Sequence, residues 1–194
     1  CHFHPRCPIA REGLCDVEDP MLKVSPQGPH HQAACWLRAG DLAIAAIWWP
    51  EVTIQRVGVI GGGLMGSGIA EVCARAGSHV IVHEIHAEAA DAARSRVETS
   101  LDRAVEKGKL EPSDRDSTLE RVEFSTDLSE QADRQLVIEA AIEDEELKKA
   151  IFADLDSVVA ADSILASNTS SIPITRIATA TSRSDRVVGL HFFN

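Results

Sequence analysis

Arg56-Val-Gly-Val-Ile-Gly-Gly-Gly-Leu-Met-Gly-Ser-Gly-Ile-Ala70 decides the fold. The apolar stretch ending at Ile60 reads as a buried strand within Thr53 to Ile60. Gly61, Gly63 and Gly66 then fit G-x-G-x-x-G, and Leu64 and Met65 open an amphipathic helix that runs to Ala76. Strand, glycine turn and helix in that order are the context in which the motif binds a dinucleotide. Gly61 permits the tight turn, Gly63 lets backbone approach a pyrophosphate, and Gly66 lets the helix pack closely on the strand. The pyrophosphate would meet the free N–H groups and positive dipole end of the helix. Glu84 ends the next strand, Val80 to His83, where a carboxylate accepts hydrogen bonds from the adenosine ribose and repels a 2′-phosphate. NAD is therefore favoured over NADP, a preference that His83 and His86 would soften if protonated.

Outward from this turn, strands and helices alternate. Gly77 stops the first helix as a left-handed cap. Ala87 to Lys107 reads as a long helix with Ala93, Val97, Leu101 and Val105 along its buried stripe. A short acidic helix (Pro112 to Glu120) precedes strands at Val122 to Ser125 and Leu136 to Ala140. Glu143 to Val159 reads as a helix burying Leu147, Ile151, Leu155 and Val158. Ile164 to Ser167 and Val187 to Leu190 supply two more strands, and Ser171 caps the helix between them, with Pro173 in its first turn. The pattern gives an α/β fold: a Rossmann-type, doubly wound, mostly parallel sheet over residues 53–194.

Residues 1–38 differ in texture. They are irregular and rich in Cys, His and Pro, and 39–52 reads as a linker that includes Trp48 and Trp49. Cys1, Cys7, Cys15 and Cys35 crowd this segment, and of the chain's 5 cysteines only Cys73 lies beyond it. That distribution does not suit a disulfide framework spanning the chain. Cys73 reads as a core residue.

The 194 residues are 44% hydrophobic and 25% charged, with a net charge of -11. That balance suits a soluble globular protein. The acidity argues against nucleic acid or an anionic membrane as partner. No apolar run reaches membrane-spanning length and no secretory h-region is visible, so a cytoplasmic small-molecule protein is expected.

Val57 to Ala70, Leu136-Val-Ile-Glu-Ala-Ala-Ile-Glu143, Ala166-Ser-Asn-Thr-Ser-Ser-Ile172 and Gly189-Leu-His-Phe-Phe-Asn194 together resemble the N-terminal domain of 3-hydroxyacyl-CoA dehydrogenases, notably the bacterial 3-hydroxybutyryl-CoA type. The resemblance implies NAD-dependent oxidation of a 3-hydroxyacyl-CoA in fatty-acid metabolism. It makes His191 the catalytic base, a task an imidazole suits. Ser170 would hydrogen-bond the substrate oxygen, and Asn194 would hold substrate and nicotinamide. Glu143, Lys148 and Asn168 would contact the cofactor. Ser100 and Lys107 would bind coenzyme A, with Arg96 and Arg103 on the same helix face; that stripe reads equally well as a solvated surface. The family's histidine is paired with a glutamate further along. Its all-helical C-terminal domain closes the cleft and forms the dimer. Neither lies within this sequence, so the expectation is a chain that binds cofactor and turns over poorly.

Residues 1–38 also resemble the C-terminal tail of oligopeptide and dipeptide ABC transporter ATPases. That resemblance makes Cys1, Cys7, Cys15 and Cys35 candidate ligands of an iron–sulfur cluster, with zinc as the rival and free thiols as the plain alternative. A second functional reading follows: a non-catalytic dinucleotide-binding module with a metal-binding head, whether redox sensor or fusion artefact.

Overall fold

The computed structural model describes residues 53–192 and the backbone of two short strands, residues 23–25 and 28–33. The chain divides into two compact units, Cys1–Thr53 and Ile54–Asn194. In the first, β1 (Lys23–Ser25) and β2 (Gly28–Ala33) pair antiparallel. The segment expected to be irregular therefore carries a hairpin. Its signal is the turn-forming Pro26 and Gly28 rather than any alternation of apolar residues. Cys1, Cys7, Cys15, Cys35, Trp48 and Trp49 lie outside the described residues.

The second unit is built on one sheet. Its strands are β3 (Arg56–Ile60), β4 (His79–His83), β5 (Val122–Ser125), β6 (Leu136–Glu139), β7 (Ile164–Ser167) and β8 (Val187–Gly189). They lie in the order β5-β4-β3-β6-β7-β8, and every pairing is parallel. The expectation of a mostly parallel sheet is met by a wholly parallel one. Helices α1 (Leu64–Arg75), α2 (Ala87–Glu106), α3 (Pro112–Leu119), α4 (Glu145–Val158) and α5 (Ile174–Ala178) make the connections. Chain direction across the sheet reverses between β3 and β6, the point at which doubly wound sheets open a ligand crevice.

Alternation along the strands divides the core. Val57, Val59, Val80, Val82 and Ile138 pack with Ile69, Ala70 and Ala74 of α1 and Ala93 of α2. Ile60, Val137 and Leu165 pack with Phe152 and Leu155 of α4 and Ile177 of α5. Successive residues of one strand, such as Val137 and Ile138, thus serve opposite faces, as a period of two requires.

Two local expectations are corrected. Helix α4 starts at Glu145, because Asp144 is its N-cap and accepts the Leu147 amide at 2.8 Å. It buries Lys148, Phe152 and Leu155, leaving Leu147 exposed and Ile151 and Val158 half-buried. The apolar stripe is displaced because the Lys148 ammonium has a carboxylate to reach beneath the helix. Helix α5 starts after Pro173, and Ser171 does not cap it; the Ser171 hydroxyl and amide both turn to Glu143 instead. Among the described residues no helix is long and apolar enough to cross a membrane.

A short 3-10 turn, Leu128–Gln131, drives Gln131 fully into the interior. Its Nε2 donates to the Ile81 carbonyl at 3.4 Å, while Oε1 has no partner. That oxygen occupies the space a side chain at Gly58 would need: a Cβ there would stand 1.9 Å from it and 3.2 Å from Val137 Cγ2. Gly58→Ala is expected to lower stability by about 1–3 kcal/mol, the usual cost of overpacking a tight core, read as a fall in the urea midpoint.

Candidate functional site

The nucleotide turn spans the switch point. Gly61 has φ +92°, and its amide donates to His83 O at 2.9 Å, tying β3 to the end of β4. A Cβ on Gly66 would lie 1.7 Å from Gly61 O, so α1 can start this close to the strand only with glycine there. Gly63 is the opposite case. It forms the N-cap of α1, and a Cβ on it would meet nothing within 4 Å. The first turn of α1 has no side-chain cap and no acidic residue, so no side chain caps its N–H groups. An anion is the natural occupant of such a helix end. Leu64 is exposed beside it and Met65 is half-buried.

Gly62 is the residue that the motif reading passed over. A Cβ on it would lie 2.4 Å from the Ala93 Cβ. Its amide donates to Glu84 Oε1 at 2.7 Å, and its carbonyl accepts from Ser67 Oγ at 2.8 Å and Arg96 Nη1 at 3.1 Å. Glu84 therefore stands beside the turn as expected. Burial pushes the His83 pKa below the ordinary imidazole value, and His86 spends Nδ1 accepting the Ala89 amide at the start of α2.

A buried polar network lies on the other side of the switch point. Glu139, at the end of β6, is fully buried, and its carboxylate accepts from Lys148 Nζ at 2.6 Å, Ser167 Oγ at 2.6 Å and the Ala141 amide at 2.7 Å. Lys148 is 1% exposed. It also donates to Ala141 O at 3.3 Å and pairs with Glu143 Oε2 at 3.5 Å. Its ammonium is thus committed to protein oxygens rather than presented to the crevice. Glu143 sits at the rim and accepts from the hydroxyls of Thr169 and Ser171. Those bonds, the Thr169 hydroxyl first, with help from nearby Lys148, lower its pKa from 4.5 to about 2. No periodicity or turn signal marked Glu139, Ser167 or Thr169, since the bonds that define them cross between elements.

Ser170 and His191 follow neighbouring strands, β7 and β8, at the same edge, and both are exposed. Asn168 holds this edge together. Its amide donates to Glu139 O at 2.8 Å, and its Oδ1 accepts the Phe192 amide at 2.6 Å, fixing the backbone just after His191. Phe192 packs on the core beneath the nucleotide turn. Asn194 lies outside the described residues.

Ser100 and Lys107 line a groove of about 670 Å³ between α1 and α2, together with Arg75, Arg96, Arg103 and Lys109. Leu64, at the mouth of the nucleotide turn, borders the same groove. Of these cations Arg75 is already paired, with Glu71 at 3.3 Å. The stripe left open between binding surface and solvated face is therefore concave and cationic on an acidic chain. Among the described residues no cluster of His, Cys, Asp and Glu is arranged to hold a metal ion.

Residues 56–194 match the family model described as 3-hydroxyacyl-CoA dehydrogenase, NAD binding domain. A 3-hydroxybutyryl-CoA dehydrogenase of Mycobacterium tuberculosis is 57% identical over 142 residues, covering 73% of this chain and 50% of that protein. A 3-hydroxyadipyl-CoA dehydrogenase of Escherichia coli is 46% identical, over 74% of this chain and 30% of that protein. The crystal structure of (S)-3-hydroxybutyryl-CoA dehydrogenase from Ralstonia eutropha superposes with a TM-score of 0.71 at 44% identity, over 73% of this chain and 50% of that one. The chain spans about half the length of the 3-hydroxybutyryl-CoA dehydrogenases it matches.

Removing one member of the buried pair strands the other. Lys148→Met is expected to cost about 3–5 kcal/mol, and adding Glu139→Gln to recover much of that, both read from urea unfolding. Glu143 makes stability depend on pH. Its pKa is lower folded than unfolded, so its contribution is complete above about pH 4.5 and is lost as pH falls toward about 2. The stability advantage of the native chain over Glu143→Gln should therefore shrink between about pH 4.5 and about pH 2, by less than the full shift implies because the side chain is partly solvated.

Proposed function

The chain belongs to the 3-hydroxyacyl-CoA dehydrogenase family through its NAD-binding domain, and on that premise we propose that it binds NAD for the oxidation of (S)-3-hydroxyacyl-CoA, a 3-hydroxybutyryl group foremost, to 3-oxoacyl-CoA. The observation that carries this reading is the uncapped N-terminus of α1, opening behind Gly63 at the switch point with Glu84 beside it. The residues fit the dinucleotide: space and free N–H groups for its pyrophosphate, and a carboxylate for its ribose. NAD, when bound, accepts the hydride from C3 of the substrate.

The chain's own groups supply the rest. His191, just past β8, takes the 3-hydroxyl proton, and Ser170, past the adjoining strand, donates to the same oxygen. Both stand at the carboxyl edge of the sheet, where the crevice lies. Asn168 positions the histidine backbone through its bond to the Phe192 amide. Glu143 faces the nicotinamide end as a carboxylate that stays ionised at every working pH, and Lys148 supports it from beneath. Ser100 and Lys107 take the coenzyme A nucleotide in the groove between α1 and α2. Asn194 adds a contact to substrate and nicotinamide.

Titration of the chain with NADH and NADPH, followed by nicotinamide fluorescence, tests the reading. NADH is expected to bind at least roughly ten-fold more tightly than NADPH, a difference of about 1.4 kcal/mol. Gly63→Ala should leave the unfolding midpoint in place while abolishing that binding, because its methyl group would fill the pyrophosphate's space. A folded wild-type chain that binds neither nucleotide, or both equally, would overturn the proposal.

A further inference from the structure

The nucleotide turn and the cationic groove touch at one side chain. Arg96 stands on α2 and lines the groove, yet its Nη1 donates to the Gly62 carbonyl at 3.1 Å. Gly62 O is its hydrogen-bond partner among the described residues. The other donor to that carbonyl, Ser67 Oγ, comes from α1, the helix that the turn itself opens. Arg96 is thus the link that reaches the Gly62 carbonyl from the second helix. The other end of the residue is held as well, since the Gly62 amide donates to Glu84. The very next residue is Gly63, behind which the space for a pyrophosphate opens.

A guanidinium carries five N–H donors in a planar fork and can serve two acceptors at once. One branch occupied by a peptide carbonyl leaves others directed by that bond. Resting on the reading that the turn takes NAD and the groove takes the nucleotide of coenzyme A, we propose that Arg96 is a positioning residue that couples the two sites. A phosphate in the groove fixes the guanidinium, and the fixed guanidinium holds the Gly62 peptide in the shape the dinucleotide needs. The freedom left to the guanidinium beyond that one bond is then lost once, to whichever ligand binds first. Each ligand tightens the other by the same factor.

The sign of the effect is diagnostic. Both ligands are anions, and two anions bound at adjoining sites oppose each other electrostatically. Tightening can arise only if a protein group couples them favourably enough to overcome that repulsion.

The probe is adenosine 3′,5′-bisphosphate, which carries the phosphate pattern of the coenzyme A nucleotide without its acyl arm. The dissociation constant for NADH is measured on the full chain with and without saturating bisphosphate. Wild type is expected to bind NADH roughly five-fold more tightly in its presence, at the lower end of ordinary coupling. Arg96→Gln should lose the tightening or show a slight weakening. Arg103→Gln should bind the bisphosphate less well yet keep the full tightening at saturation, which separates the link from loss of charge in the groove. An NADH constant in wild type that saturating bisphosphate leaves unchanged or raises would overturn the coupling alone. So would full tightening in Arg96→Gln. NADH binding without any bisphosphate binding would also remove the coupling and leave the cofactor reading standing, whereas absence of NADH binding would remove both.

Discussion

The Glu139–Lys148 pair joins more of the carboxyl edge than any other described interaction. Glu139 ends β6, Ser167 ends β7, Ala141 begins the loop between β6 and α4, and Lys148 lies in the first turns of α4; one carboxylate collects bonds from all three partners. Burying both charges is expensive, and their attraction offsets the loss of hydration only when the remaining bonding positions are also filled. They are filled here, by a hydroxyl, an amide and a carbonyl. The pair therefore specifies a rotation of α4 that apolar burial would not choose, with Leu147 left at the surface so that Lys148 can point inward. Glu143 inherits its position from the same ammonium, and Thr169 and Ser171 inherit theirs from Glu143. The rim of the crevice rests on a charge beneath it.

Across the switch point the constraint is steric rather than ionic. Gly62 and Gly66 are compressed against neighbouring atoms, whereas Gly63 has open space where their side chains would have none. The first two let strand, turn and helix approach until the Gly62 peptide can be gripped from both ends. The third leaves the resulting helix N-terminus accessible. Compression on one side and vacancy on the other are what convert a tight turn into an anion site.

What could be read from the chain was whatever is local. The strand–turn–helix at Arg56 to Ala76, the acid closing β4, the stripe of Ala93, Val97 and Leu101 and the strand at Ile164 all follow from periods and turn residues within a short window. The unread features join distant positions. Lys148 was expected to reach the cofactor, but its partner lies at the end of another element, and the apolar residues around it suggested the wrong stripe. Gln131 drew no reading from the sequence, although it fills the space opened by Gly58, 73 positions earlier by number. Arg96 belonged to a stripe left open between binding surface and solvated face, and nothing local showed that it is bonded to a residue 34 positions away. The hairpin at Lys23–Ala33 escaped for the converse reason: its pairing is local, but its sequence shows no alternation of apolar and polar residue types. The family motifs located Ser170, His191, Ser100 and Lys107, and the structure sets each pair on a common edge or groove without itself assigning their roles.

The charge distribution follows from this architecture. A net charge of -11 would ordinarily keep a polyanion such as a nucleotide at a distance. Five cations nevertheless line one groove between α1 and α2, and the acid that lines it with them, Glu71, is bound to Arg75. A concave surface of one sign in a chain of the other concentrates the field where the ligand enters and leaves the rest repulsive. The groove opens beside Leu64, so an anion drawn into it arrives at the same helix terminus that the glycine turn exposes. A free helix terminus and a cationic groove on one pair of helices are thus a geometric consequence of the first strand–helix–strand–helix unit, and Arg96, which lines the groove, is bonded to the turn.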